Sequence, residues 1–509
     1  MHHFNAATNV ISAGLLHRLR ASLRWVRHAS QYSHDTQLQA YTTSMQLLDA
    51  YMSTTASVSS RHDAMKNFPS TLAVDAASCA LRSGDIHGDH AVTLMKRFRG
   101  LSHLLDRPPV NHPEGTPRVN IEAEATRYRR LVEGWNGTVE EIRKIEGFSR
   151  FLLPPLFSDL QDAARDRPII MLIASESSSD AIIIPHKQPP TSIQLPTNLL
   201  KLVELVFAFR EAIEKEAGPK GNQPALTRAL RELWNDVVRP VVENLGRFAE
   251  RGSRIWWCPT VSLQFLAIAR CWQVQGKRKS LAQQYISSYT PSLTALMRAR
   301  RSHDRLPSVS FAAIGQNLPA GHSSTLEFVE PELELVRSLL PHPPTVSFTK
   351  ITSVGATKSR ALCALQDSTW LHFACHGTQK WDKPFNSAFL MRDQPLSLLD
   401  ITQMDLSPHQ FAFLSACETA VGDFETPDEV IHLAAGLQFA GVKSVVGTFW
   451  NVNDSAVQRL VEAFYKNFCG DGKMNSKRAA RALHQAVHSL AQEKGMPLDQ
   501  RIVFIHIGV

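Results

Sequence analysis

Two side chains stand where apolar runs stop, and together they could do chemistry. FAFLSACETAVGD (411–423) breaks from hydrophobic to small and polar at Cys417, and STWLHFACHG (368–377) ends at His376 followed by Gly377. A thiol attacks as its thiolate, and a free thiol has a pKa near 8.5. An imidazole beside it can take the thiol proton and later give a proton to a leaving amine. The oxyanion formed in between needs fixed donors, and backbone N–H groups supply them. Gly377 suits that task, because without a Cβ its N–H can be approached closely.

Taken singly, each residue has a plainer reading. A lone cysteine is most often core packing, and a lone histidine a hydrogen-bonded structural residue. The paired pattern, His-Gly at one strand end and Cys at the next, favours chemistry. Alternation along WLHFACH puts His372, Ala374 and His376 on one face and Leu371, Phe373 and Cys375 on the other. Cys375 therefore reads as a buried core thiol. The same alternation splits Cys363, His372, Cys375 and His376 between faces, which argues against a zinc site.

These strand ends need a scaffold. From about residue 165, short apolar runs alternate with helical segments: RPIIMLIASESSSDAIIIPHK as two strands around a serine-rich turn, then helices near 198–217 and 223–249. RIWWCPTVSLQFLAI (254–268) reads as a strand and turn, and PHPPT (341–345) as a rigid loop before the strand VSFTKI. STWLHFACHG, FAFLSAC and VKSVVGTFW follow, and VFIHIGV comes last. The pattern predicts an α/β domain with a mostly parallel sheet, whose functional residues collect beyond the carboxyl ends of the strands. Residues up to about 150 read as helical. LAVDAASCALRSGDIHGDHAVTLMKRFRGL (72–101) resembles one degenerate tetratricopeptide-like helix pair without clean recurrence, and DRPPVNHPEGTPR (106–118) interrupts the helices. The expected division is a helical region over 1–150 and a second domain over 165–509.

The 509 residues allow two to four domains. The net charge of +8 is spread along the chain, with only short basic clusters such as RARRSHDR (298–305), so a nucleic-acid partner is not expected. No apolar run is long enough to predict a membrane span. Seven separated cysteines without a C-x-x-C pair suggest reduced thiols, and hence a cytoplasmic protein. The acid-free start with Arg18, Arg20, Arg24 and Arg27 is also compatible with a mitochondrial leader, or with the solvated face of a basic helix. Phosphate-loop, G-x-S-x-G and H-E-x-x-H motifs are absent from the sequence.

LHFACHG, SACETAVGD and DEVIHLAAGLQFAGVKSVVGTFWNVND resemble the CHAT family, caspase-like domains found beside tetratricopeptide repeats. YTPSL (289–293), GATKSRALCAL (355–365) and LWNDVVRPVVENLG (233–246) also resemble its landmarks, so the likeness spans roughly 165–509. It implies a caspase-like αβα sandwich that hydrolyses peptide bonds through a thioacyl enzyme without a cofactor. His376 would be general base and acid, Cys417 the nucleophile, and the N–H groups of Gly377 and Cys417 the oxyanion hole. After WWCPTVSLQ this chain reads FLAIARCWQVQGK, unlike the family's Leu-Pro-Leu-His-Ala-Ala-Gly-like stretch, and AVTLMKRFRGL lacks the usual acidic pattern.

For specificity, Asp382 and Asp423 are the candidate substrate-binding acids, and either would favour a basic P1 residue. Asp428 and Glu429 read rather as loop or helix-capping acids. The expected partners are a protein or peptide substrate and a regulatory protein on the helical region. The alternative is a catalytically silent signalling scaffold.

Overall fold

The computed structural model describes residues 1–10, 15–32, 34–53, Leu72, Asp75, Ala76, Cys79, 156–216, 223–260, Leu263, Leu266, Ile268, 280–300, 309–321, 325–380, 383–416, Thr419, 432–450, 454–492 and 496–509. The chain divides into two compact units, Met1–Leu160 and Gln161–Val509.

In the first unit, α1 (His2–Thr8), α2 (Leu15–Gln31) and α3 (Gln37–Ser53) are described. Leu19, Ser22, Trp25, Val26 and Ala29 recur at helical spacing and are buried, while Arg20, Arg24 and Arg27 take the exposed face of α2. Arg18 donates to the Thr8 carbonyl at 2.8 Å, and the Trp25 indole N–H donates to Thr36 Oγ1 at 3.2 Å, tying α2 to the start of α3. The expected helix pair at 72–101, apart from Leu72, Asp75, Ala76 and Cys79, and the proline-rich break at 106–118 lie outside the described residues.

The second unit is built on strands β1 (Ile169–Ala174), β2 (Ser179–Ile184), β3 (Thr191–Leu195), β4 (Arg254–Pro259), β5 (Ile286–Tyr289), β6 (Val309–Gln316), β7 (Val346–Thr352), β8 (Trp370–Cys375), β9 (Gly377–Thr378), β10 (Ala388–Leu390), β11 (Pro395–Ser397), β12 (Phe411–Ser415), β13 (Ser444–Thr448) and β14 (Phe504–Gly508). Eleven of them form one sheet in the order β3-β2-β1-β4-β5-β14-β13-β12-β8-β6-β7, and β11-β10-β9 form a second, small sheet. The antiparallel pairs in the large sheet are β1–β2, β2–β3 and β13–β14. β14 is parallel to β5 and antiparallel to β13, so it joins two parallel blocks of opposite sense.

β1, β8 and β12 are buried at every position, which explains their continuous apolar runs. β7, at the edge, is buried only at Val346 and Ile351. The block β7-β6-β8-β12-β13 starts its chain order at β6, so its connections run first one way and then the other. Right-handed crossovers then place α8 (Val329–Leu339), between β6 and β7, on one face. They place α9 (Lys358–Asp367) and α10 (Leu433–Ala440), which lead to β8 and β13, on the opposite face. The result is a three-layer αβα arrangement. Helix α11 (Asp454–Cys469) packs against α8 and seals an aromatic core in which Phe411, Phe464 and Phe468 stack.

The helix expected over 223–249 is interrupted. α5 (Pro224–Leu233) and α6 (Arg239–Leu245), which follow α4 (Leu199–Glu216) and precede α7 (Leu293–Arg300), flank a π-turn over Trp234–Val238. Pro240 has no N–H for the Asp236 carbonyl, so the Arg239 N–H reaches back five residues to the Trp234 carbonyl.

Candidate active site

β8 carries His376 just beyond its last residue, and both faces of the strand are pinned. On one face His372 is fully buried. Its Nε2 lies 2.8 Å from Glu332 Oε1 on α8 and its Nδ1 lies 3.0 Å from the Tyr465 hydroxyl on α11. Burial holds the Tyr465 phenol well above its usual pKa, so the hydroxyl keeps its proton; assigning the ring proton to Nε2, facing the Glu332 carboxyl group, leaves Nδ1 to accept from that hydroxyl. The imidazole stacks on Phe413 of β12, with ring centroids 5.1 Å apart. With both nitrogens engaged, His372 is a structural anchor and not a metal ligand. On the other face Phe373 stacks on Phe389 of β10 at 4.5 Å. Cys375 is 2% exposed, the core thiol that alternation predicted.

The chain then leaves the large sheet. His376 is half-buried, and its carbonyl accepts the Leu390 N–H at 2.9 Å. Gly377 opens β9 opposite Phe389. Because the neighbouring Leu390–His376 bond closes the ladder there, Gly377 and Phe389 are a non-hydrogen-bonded pair, and the Gly377 N–H points away from β10. This small sheet after His376 was not anticipated from the sequence, because strands of two or three residues carry no periodicity.

β12 lies directly beside β8 and parallel to it, in a register that ends with Ser415 opposite Ala374. Cys417 and His376 each come two residues after that pair in the sequence. Cys417 itself, the two candidate substrate-binding acids Asp382 and Asp423, and Asp428 and Glu429 lie outside the described residues. Ala416, before Cys417, is 2% exposed, and Thr419, two residues after it, is fully buried.

Sequence reasoning also missed Gln379, three residues beyond His376. Its side chain is 9% exposed, yet neither its amide oxygen nor its nitrogen has a hydrogen-bond partner among the described residues. An unpaired buried amide is costly, and nothing in the string HGTQK announces it.

A second histidine pair near β14 could be mistaken for a hydrolytic site. His506 Nε2 lies 2.8 Å from Ser444 Oγ, in fully buried surroundings. The Arg254 guanidinium, which can only donate, lies 3.2 Å from His506 Nδ1, and Nδ1 also lies 3.1 Å from Ser288 Oγ. Nδ1 therefore accepts, and the ring proton sits on Nε2 and is donated to Ser444. Ser444 is an acceptor from this histidine and is not activated by it. Burial and Arg254 push the His506 pKa well below its usual value, so the ring stays neutral.

Residues 227–503, more than half of the chain, match the CHAT domain. The chain belongs to the CHAT family. No curated protein sequence matches it. Among solved structures it is similar to separase in the Saccharomyces cerevisiae separase–securin complex. The TM-score is 0.53 at 9% identity, over 97% of this chain and 40% of that one. A second crystal structure of the same complex gives 0.49 at 10% identity over the same shares. The Arg-specific cysteine proteinase gingipain R (RgpB) of Porphyromonas gingivalis aligns over 60% of this chain and 73% of its own, at 10% identity and a TM-score of 0.35. The chain thus spans two-fifths of the separase chain, and at 9% identity the likeness is one of fold. The CHAT domain here has the caspase-like αβα sandwich, with a helical N-terminal region before it.

Proposed function

We propose that this CHAT protein is a cysteine endopeptidase working through His376 and Cys417. The observation that supports this most is the parallel pairing of β8 with β12, which ends two residues short of each. His376 takes the proton of the Cys417 thiol, and the thiolate adds to the scissile carbonyl carbon. The N–H groups of Gly377 and Cys417 hold the resulting oxyanion. The tetrahedral intermediate collapses, the C–N bond breaks, and the imidazolium gives its proton to the leaving amine. Water, deprotonated by His376, then hydrolyses the thioester and releases the acid. The orientation of the Gly377 N–H, away from β10, suits this role.

Asp382 or Asp423 at the mouth of such a site would favour a basic P1 residue. The helical region would receive a regulatory protein partner, in a cytoplasmic setting.

The test is mass-spectrometric labelling with limiting iodoacetamide. Cys363 is exposed on α9, so it is replaced in a Cys363→Ser background. Cys469 is a poor competitor, because burial pushes its thiol up to about 12. Selective labelling of Cys417 at pH 7.5 that falls on the order of tenfold in His376→Ala supports the dyad, since lowering a thiol pKa from about 8.5 by two units raises its thiolate fraction at that pH by about that factor. Labelling of Cys417 that is indifferent to His376 would overturn it and leave the chain a binding scaffold.

A further inference from the structure

Ala416 and Thr419, on either side of Cys417 in the sequence, are both held from one residue of the neighbouring strand. Thr448, the last residue of β13, is fully buried. Its hydroxyl donates to the Ala416 carbonyl at 2.5 Å. Its backbone N–H donates to Thr419 Oγ1 at 2.9 Å, and the Thr419 N–H reaches Thr448 Oγ1 at 3.4 Å. Thr448 therefore ties down the chain immediately before Cys417 and again two residues after it. The Thr419 carbonyl accepts the Ala434 N–H at 2.8 Å, which anchors the far side to the first turn of α10. His432 caps that turn, its Nδ1 accepting the Ala435 N–H at 3.1 Å.

The chemistry follows from the peptide bond. The Ala416 carbonyl and the Cys417 N–H belong to one planar unit, and in a trans peptide they point in opposite directions. A donor fixed on the carbonyl oxygen sets the tilt of that plane, and with it the direction of the Cys417 N–H. It also draws electron density toward oxygen, which makes the N–H a stronger donor. We propose that Thr448 is a positioning residue for the oxyanion hole, acting through the Ala416–Cys417 peptide. Thr419 bonds Thr448 without touching that carbonyl. This inference rests on the reading of Cys417 as nucleophile.

Two reagents separate the effect from general damage. Iodoacetamide needs only the thiolate, since its carbon is attacked in a single displacement that expels iodide. p-Nitrophenyl acetate must pass through a tetrahedral oxyanion: the thiolate adds to the ester carbonyl, and the adduct expels p-nitrophenolate. Both are scored at Cys417 by site-resolved mass spectrometry on the full-length Cys363→Ser protein. Thr448→Val should lower acylation on the order of 10²-fold, the scale for losing one oxyanion donor, while alkylation changes less than about threefold. Thr448→Ser, which keeps the hydroxyl, should restore acylation, and Thr419→Val should leave the ratio of the two rates unchanged. Thr448→Ala is the second variant should Thr448→Val not fold, and must show the same split. Equal loss of both rates, retention of both, or failure of Ser to rescue overturns the positioning role while the nucleophile stands. A wild-type protein that takes neither reagent at Cys417 overturns the proposed function and this inference together.

Discussion

Tyr465→Phe isolates a single hydrogen bond in the anchor beneath His376. The ring keeps its aromatic neighbours, with Phe464 at 5.2 Å and Phe413 at 5.9 Å, so little packing changes. Only the hydroxyl is lost, and with it the donor 3.0 Å from His372 Nδ1. That nitrogen is then an acceptor with no partner in a fully buried site, where water does not reach it. Leaving one buried polar atom unsatisfied costs about 1–3 kcal/mol. Glu332→Ala should cost more, since it removes a charge-assisted bond at 2.8 Å and opens space beside the imidazole. Both bonds belong to one ring, so the double variant should deviate from additivity by about 0.5–3 kcal/mol.

Urea unfolding followed by tryptophan fluorescence reads this directly, because Trp370 packs on Phe411 and Phe468 beside the network. With a slope near 3 kcal/mol/M, Tyr465→Phe should lower the midpoint by about 0.3–1 M without changing the slope. A midpoint within about 0.1 M of wild type would refute the reasoning. It would mean that the Tyr465 hydroxyl is not the proton donor to Nδ1, and that the Glu332 bond and the apolar contacts hold β8 without it.

Three further outcomes are expected. Gly441, the residue after α10, has φ +127°, and a Cβ there would lie 2.4 Å from the Ser407 nitrogen. Gly441→Ala should therefore cost about 3 kcal/mol or more, from strain plus a backbone clash. Gly472, at φ +72°, where an added Cβ would meet nothing within 4 Å, should cost only about 1 kcal/mol on the same change, and thermal unfolding compares the two. Burial holds His432 at a pKa of about 4, so between about pH 6.5 and 4 the unfolded chain binds a proton there that the folded chain does not. Stability should fall by up to about 3 kcal/mol as the pH drops through that window, a loss that His432→Asn should reduce in urea titrations at pH 7 and pH 4.5. Gln379→Leu should raise stability by about 1 kcal/mol, since it replaces a buried amide without described partners by an apolar group of similar size, and an unchanged or lower melting temperature would count against that burial.

What the sequence revealed and what it hid divide along physical lines. β8, β12 and β13 were legible because strands covered on both faces become continuous apolar runs, and His376 and Cys417 stood out because those runs end there. The devices that hold these ends are pairs distant in sequence: Glu332 with His372 across 40 residues, His372 with Tyr465 across 93, and Thr419 with Thr448 across 29. No periodicity connects such residues. A threonine at a strand end is already explained by β-propensity, and a histidine inside a strand by alternation, so neither announces a second role. The direction of β14 was equally hidden, because FIHIG reads the same whether it runs with β13 or against it. If a CHAT sequence keeps His and Cys at these two strand ends, the motif alone therefore leaves open whether the residues that aim them are intact. Replacing Thr448 or Tyr465 would leave His376 and Cys417 unchanged, yet each should alter how the site is held.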